Sequence, residues 1–258
     1  MSRIQEVFQS ETTQPIVIPF IMAGDPNIDT TLKLMHALVA AGAKIIEIGM
    51  PFSDPVADGE TIQQAGLRAM KNGVGLTQIL GLVQKFRHDD QDTAVVLMGY
   101  YNPIYRYGDE NFCAAATKVG IDGLIVVDLP PEEEDEILPH TKSCNIDLIR
   151  LITPNTTSER IRTITKNASG FIYYVSVAGT TGGKSTDYTK LPEAIARIRK
   201  ESSLPVAVGF GIKSHDDVTE VLKSADAAVV GSELIRKLQA ADFDTDKAKA
   251  FFSTLTGL

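Results

Sequence analysis

The chain has 258 residues, 43% of them hydrophobic and 22% charged, with a formal net charge of −8. That is the composition of an ordinary globule large enough for one extensive core. Its negative charge excludes a global role in sheathing nucleic acid or coating an anionic membrane, while leaving room for a local anion pocket.

No apolar run approaches the roughly 20 residues of a membrane span. The start, Met1-Ser2-Arg3-Ile4-Gln5-Glu6, lacks an apolar signal core, so a cytoplasmic location is expected. Cys113 and Cys144 have no metal-type spacing and are expected to be free thiols.

Taken in order, the chain alternates short apolar runs with amphipathic stretches. Residues 1–9 are amphipathic and precede the first strand, where they could plug the bottom of a barrel. Strands are predicted at 16–22, 44–48, 94–98, 123–127, 148–152, 171–176, 206–208 and 227–230. Most are rich in Val and Ile without alternation, as strands covered on both faces are. Helices are predicted at 29–41, 61–71, 76–87, 111–119, 158–165, 191–200 and 216–222. Gly73-Val74-Gly75 separates the second of these from the third. Asp29 and Ser158 are candidate N-caps, and Ser214 opens another helix. Pro131 followed by Glu132, Glu133 and Glu134 reads as a helical first turn. Eight strand-helix units in a chain of this length predict an α/β fold, a closed (β/α)8 barrel of the TIM type. It would form one domain over 1–258, with an extra N-terminal helix and an extra helix after strand two.

The most informative stretch is Lys44-Ile45-Ile46-Glu47-Ile48-Gly49-Met50-Pro51-Phe52-Ser53-Asp54-Pro55-Val56-Ala57-Asp58-Gly59. A carboxylate inside a doubly covered strand is costly unless it is paired or used. Glu47 therefore admits two readings, a structural acid paired with an interior Lys or Arg, or a reagent. Asp58 could be a turn former or helix cap, or could face the site, and Asp54-Pro55 could be only a turn. In such barrels the active face is built from strand C-terminal ends and the loops after them. Phe20, Tyr100, Tyr101, Asn102, Pro103, Asp128 and Tyr173 also fall there, the tyrosines serving either packing or chemistry. Asp128 reads most simply as a strand end.

Three Gly-rich turns follow strands six, seven and eight. They are Gly179-Thr180-Thr181-Gly182-Gly183-Lys184-Ser185, Gly209-Phe210-Gly211-Ile212 and Gly231-Ser232. Main-chain N–H groups freed by glycine can hold phosphate without Lys or Arg. Gly179 and the Gly183-Lys184 pair are too close for a P-loop. No His, Cys and carboxylate cluster has metal spacing. The four histidines, His36, His88, His140 and His215, all fall in predicted helices or helix starts.

The Glu47 to Gly59 stretch resembles the signature of the tryptophan synthase alpha chain family. The likeness extends to Pro19-Phe20-Ile21-Met22-Ala23-Gly24-Asp25-Pro26, Met98-Gly99-Tyr100-Tyr101-Asn102-Pro103, Asp122-Gly123 through Asp128-Leu129-Pro130, and the later glycine turns. Gly183-Lys184-Ser185 departs from the family pattern. The resemblance implies a cofactor-free lyase that splits indole-3-glycerol phosphate into indole and glyceraldehyde 3-phosphate. It implies proton transfer by Glu47, an indole N–H contact at Asp58, and support from Tyr173. Phe20, Tyr100 and Ile125 would wall the indole. Gly182, Phe210, Gly211, Gly231 and Ser232 would lie at the phosphate end, and Thr181 would also bind substrate. It further implies a pyridoxal phosphate-bearing beta chain as partner in an α2β2 assembly, with Asp54, Pro55, Asn102 and Pro103 at the interface.

Overall fold

The computed structural model describes residues 2–10, 14–175, 188–209 and 211–257. Eight strands close into an all-parallel barrel in sequence order. They are β1 (Val17–Met22), β2 (Ile45–Gly49), β3 (Ala94–Gly99), β4 (Gly123–Val126), β5 (Asp147–Ile152), β6 (Ile172–Val175), β7 (Val206–Gly209) and β8 (Ala227–Val230). All eight predicted runs are strands, each within two residues of its predicted ends.

The helices among the described residues begin with α1 (Arg3–Gln9), α2 (Ile28–Ala40), α3 (Glu60–Lys71) and α4 (Leu76–Phe86). Next come α5 (Tyr101–Tyr107), α6 (Asp109–Val119), α7 (Leu138–Ser143) and α8 (Ser158–Thr165). The last are α9 (Leu191–Glu201), α10 (His215–Leu222), α11 (Ser232–Ala240) and α12 (Thr245–Thr256).

Side-chain alternation divides the core in two. Ile18, Ile45, Val96, Ile125, Ile149, Phe171 and Val229 point inward and fill the barrel. Their neighbours Ile46, Ile48, Val95, Leu97, Leu124 and Leu148 point outward under the helices. Period-two alternation therefore places Glu47, two residues after Ile45, on the interior face.

The N-terminal helix does plug the bottom. Ile4 is fully buried in the interior cluster. A Cβ added at Gly123 would lie 2.9 Å from Ile4 Cδ1, so glycine at the start of β4 makes room for the plug. Ser2 caps α1 in a capping box with Gln5 and donates to Asp147 Oδ2 at 2.6 Å. Asp122 accepts from Arg3 Nη1, Arg87 Nη2 and the Val95 N–H, each at 2.8 Å.

Several local expectations are corrected. The cap of α2 is Asn27 rather than Asp29, and that of α8 is Thr157 rather than Ser158, because those residues hold the extended backbone a cap needs. Pro131 opens only a short 3-10 turn, Pro131–Glu133. Asn102 and Pro103 do not lie in a loop after β3 but in the first turn of α5, where proline loses no helical hydrogen bond. Asp128 does more than end β4, since its Oδ1 accepts from the Tyr101 N–H at 2.8 Å and closes the start of α5. His88 lies in the turn after α4 and is exposed. Cys113 and Cys144 are free thiols.

Candidate active site

Strands β1, β2, β4 and β6 bring four candidate side chains together. Phe20 stands opposite Glu47 in the β1–β2 register. Its ring lies over Gly49, where an added Cβ would come within 2.6 Å of Phe20 Cζ. Ile125 is fully buried in the same interior, with Tyr173 packed against that cluster. Tyr173 crosses to β7, and a Cβ at Gly209 would overlap its hydroxyl.

Glu47 is 1% exposed, and among the described residues neither carboxyl oxygen has a hydrogen-bond partner. The reading of Glu47 as a structural acid paired with Lys or Arg is therefore not what the described residues show. Burial, reinforced by the Asp58 charge, raises its pKa to about 8, so the group is largely protonated at neutral pH. Asp58 is raised to about 6 by burial, opposed by the hydrogen-bonding Tyr100 hydroxyl. Burial carries Tyr100 itself to about 12. Burial and then the Glu47 charge push Tyr173 well above the usual phenol range. Two carboxyls that influence each other but separate in pKa suit an acid and a charged acceptor in one site.

Asp58 is not a helix cap. The N-cap of α3 is Gly59, with no side-chain capping bond. Instead Asp58 ends a turn whose N–H donates to the Pro55 carbonyl at 3.0 Å. Asp54 is exposed at that loop's rim, Pro55 is half-buried, and the adjacent Val56 is 88% exposed. Asn102 is exposed and Pro103 half-buried on α5.

Beside Phe20 at the mouth, Gly231 caps α11 without a side-chain bond, and Ser232 is its first residue. That leaves first-turn N–H groups for an anion. The acid in that turn, Glu233, is engaged by Arg236 and by Lys237 at 3.9 Å. Gly211 has φ +82, a conformation that glycine adopts without strain. Thr181, Gly182 and Phe210 lie outside the described residues.

The sequence profile of the tryptophan synthase alpha chain matches residues 8–256. The chain belongs to that family. The tryptophan synthase alpha subunit of Legionella pneumophila str. Paris superposes with a TM-score of 0.92 at 36% identity, covering 100% of this chain and 98% of that one. A chain from the Pyrococcus furiosus tryptophan synthase a2b2 complex gives 0.85 at 37% identity, covering 95% and 99%. An aminoacrylate-bound tryptophan synthase from M. tuberculosis gives 0.89 at 31% identity, covering 99% and 98%. Membership assigns the chain the alpha-subunit role in tryptophan biosynthesis, and with it a lyase.

Two side chains at this tryptophan synthase alpha-type site escaped the sequence. Phe52 stacks on Tyr100 with centroids 4.9 Å apart and planes 26° from parallel. Gln63 reaches back from α3 to the Asp58 loop. Phe52 was visible as an aromatic in the signature loop, whereas nothing distinguished Gln63 from any polar residue on a helix face. Among the described residues no group of three or more His, Cys, Asp or Glu could hold a metal. No described helix is long and apolar enough to cross a membrane.

Proposed function

We propose that this chain cleaves indole-3-glycerol phosphate to indole and glyceraldehyde 3-phosphate by acid–base retro-aldol chemistry, without a cofactor of its own and in the cytoplasm. Family membership supports the reaction. The observation that carries the residue assignment is Glu47, a buried carboxyl without a described hydrogen-bond partner.

Cleavage needs one proton delivered to indole C3 and one removed from the side-chain hydroxyl next to it. Protonation turns the ring into an indolium. Loss of the hydroxyl proton then forms the aldehyde, and the carbon–carbon bond electrons return to the ring and quench its charge. A carboxyl that stays neutral to about pH 8 is a donor at pH 7. Having given its proton to C3, it becomes a base of matched strength for the hydroxyl. Asp58, ionised above about pH 6, accepts the indole N–H and balances the positive charge that builds there. Phe20, Tyr100 and Ile125 wall the flat ring, and Tyr173 supports Glu47. The Gly231 and Ser232 end of α11 faces the phosphate together with Gly211, and the family resemblance assigns Thr181, Gly182 and Phe210 to substrate binding as well.

The partner in this reading is a beta chain carrying pyridoxal phosphate, in an α2β2 assembly of the kind reported for the Pyrococcus furiosus relative. Asp54, Pro55, Asn102 and Pro103 would meet it. Exposed apolar Val56 and Tyr105 on the same two segments favour such a contact. The test is indole release from indole-3-glycerol phosphate by the purified chain, with and without a beta chain. Indole and triose phosphate should appear in equal amounts, faster with the partner. Absence of indole under both conditions would reject the reaction.

A further inference from the structure

The loop carrying Asp58 is held by polar latches rather than by burial. Ser53, Asp54, Val56 and Ala57 are exposed, with Val56 at the tip. On the β3 side, the Tyr100 hydroxyl accepts the Ala57 N–H at 2.9 Å. On the α3 side, Gln63 Nε2 donates to the Asp58 carbonyl at 2.9 Å and to the Pro55 carbonyl at 3.5 Å. A side-chain amide has two hydrogens to give, and here one reaches each end of the 55–58 turn. Gly59, the N-cap of α3, has no side chain with which to add a further hold.

The helix is itself a fixed base for this grip. Arg68, further along α3, forms a two-pronged pair with buried Asp25 on the loop after β1, at 2.7 and 2.8 Å. Gln63 therefore works from a helix tied to one neighbouring loop and closes a second one.

We propose that Gln63 is a positioning residue for the cleavage, its amide bridging the Pro55 and Asp58 carbonyls so that the Asp58 carboxylate stands where the indole N–H arrives. The proposal rests on the role assigned to Asp58 above. Without the bridge, the turn's hydrogen bonds among the described residues are Asp58 N–H to Pro55, Val56 N–H to Asp54 and the Tyr100 contact on its far side, none of which ties it to α3. Small displacements of a charge-stabilising group are expensive in rate. The phosphate end of the site lies on other strands, so substrate affinity should hardly change.

Gln63→Met keeps the length and removes both donors. Gln63→Glu keeps the shape and turns an acceptor towards two carbonyl oxygens. Both should lower kcat for indole release roughly tenfold to a hundredfold with KM little changed and thermal unfolding near that of the wild type. Loosening the loop also lets water reach Asp58, whose carboxyl burial raises to about 6, so the acid limb of the kcat/KM profile should move below that of the wild type. The deciding comparison is made in an Asp58→Asn background, where Gln63→Met should cost nothing further if it acts through Asp58. A full additional loss there, or a kcat equal to wild type in the single variants, would overturn the latch. Wild-type protein that releases no indole counts against the reaction itself, whereas equal rates in wild type and Gln63→Met count against Gln63 alone.

Discussion

Both ends of this barrel bury acids, and they treat them in opposite ways. At the bottom, Asp122 is 6% exposed and takes bonds from two guanidinium groups and a main-chain N–H, all at 2.8 Å. Asp147 beside it is bonded by Ser2 of the N-terminal plug. At the top, Glu47 is buried further and has no hydrogen-bond partner among the described residues. Burial alone does not make a reagent. A buried carboxyl whose lone pairs are satisfied is a fastening, and one left bare holds its proton until neutral pH or above and can hand it over.

The contrast breaks most severely at Glu47. Glu47→Gln should lower indole release by at least about a thousandfold while the chain still folds. Its stability should respond to pH in a defined direction. A carboxyl raised from 4.5 to about 8 in the folded state gives stability that is complete below 4.5 and lost as pH rises through about 8. Denaturant unfolding should therefore show the variant gaining on the wild type between those values, by on the order of a few kcal/mol, and levelling off above them. A constant difference across the range would mean that Glu47 titrates normally.

Asp58→Asn comes next, with turnover reduced about a hundredfold to a thousandfold and binding of a phosphate-bearing substrate analogue retained. Unchanged turnover would remove Asp58 from the chemistry. At the other end, Asp122→Asn sharpens the comparison from below. Buried Arg87 loses its closer carboxylate and keeps only the Asp90 pair at 3.6 Å, so unfolding free energy should fall by roughly 3 kcal/mol, whereas kcat per folded molecule stays at the wild-type value. A selective loss of kcat would show that the bottom is not merely a fastening.

The barrel was legible because parallel strands buried on both faces leave continuous runs of Val and Ile, and all eight stand out. Of the helices absent from the predicted set, α5 has an identifiable cause. α5 starts with Tyr101, Asn102 and Pro103, a poor helical opening, and its first N–H is received by Asp128, 27 positions later in the chain. A local window cannot see such a partner. For α2 and α8 an oxygen-bearing residue stood at more than one position, and only backbone conformation decides which one caps. Glu47 was readable because an acid in an apolar strand is an anomaly on its face. The bareness of its oxygens was not, because that depends on what eight strands fail to place beside it. Gln63 had no sequence signal at all, since its meaning lies in the distance to two carbonyls.

The central claim is that Glu47 carries a proton at neutral pH because burial penalises its charged form and no described residue bonds its oxygens. The most direct test is the carboxyl stretching band of the resting protein, followed by infrared difference spectroscopy between wild type and Glu47→Gln as pH is varied. A protonated carboxyl band that persists at pH 7 and is lost around pH 8 is expected. A Glu47 already ionised at pH 6 would contradict the account.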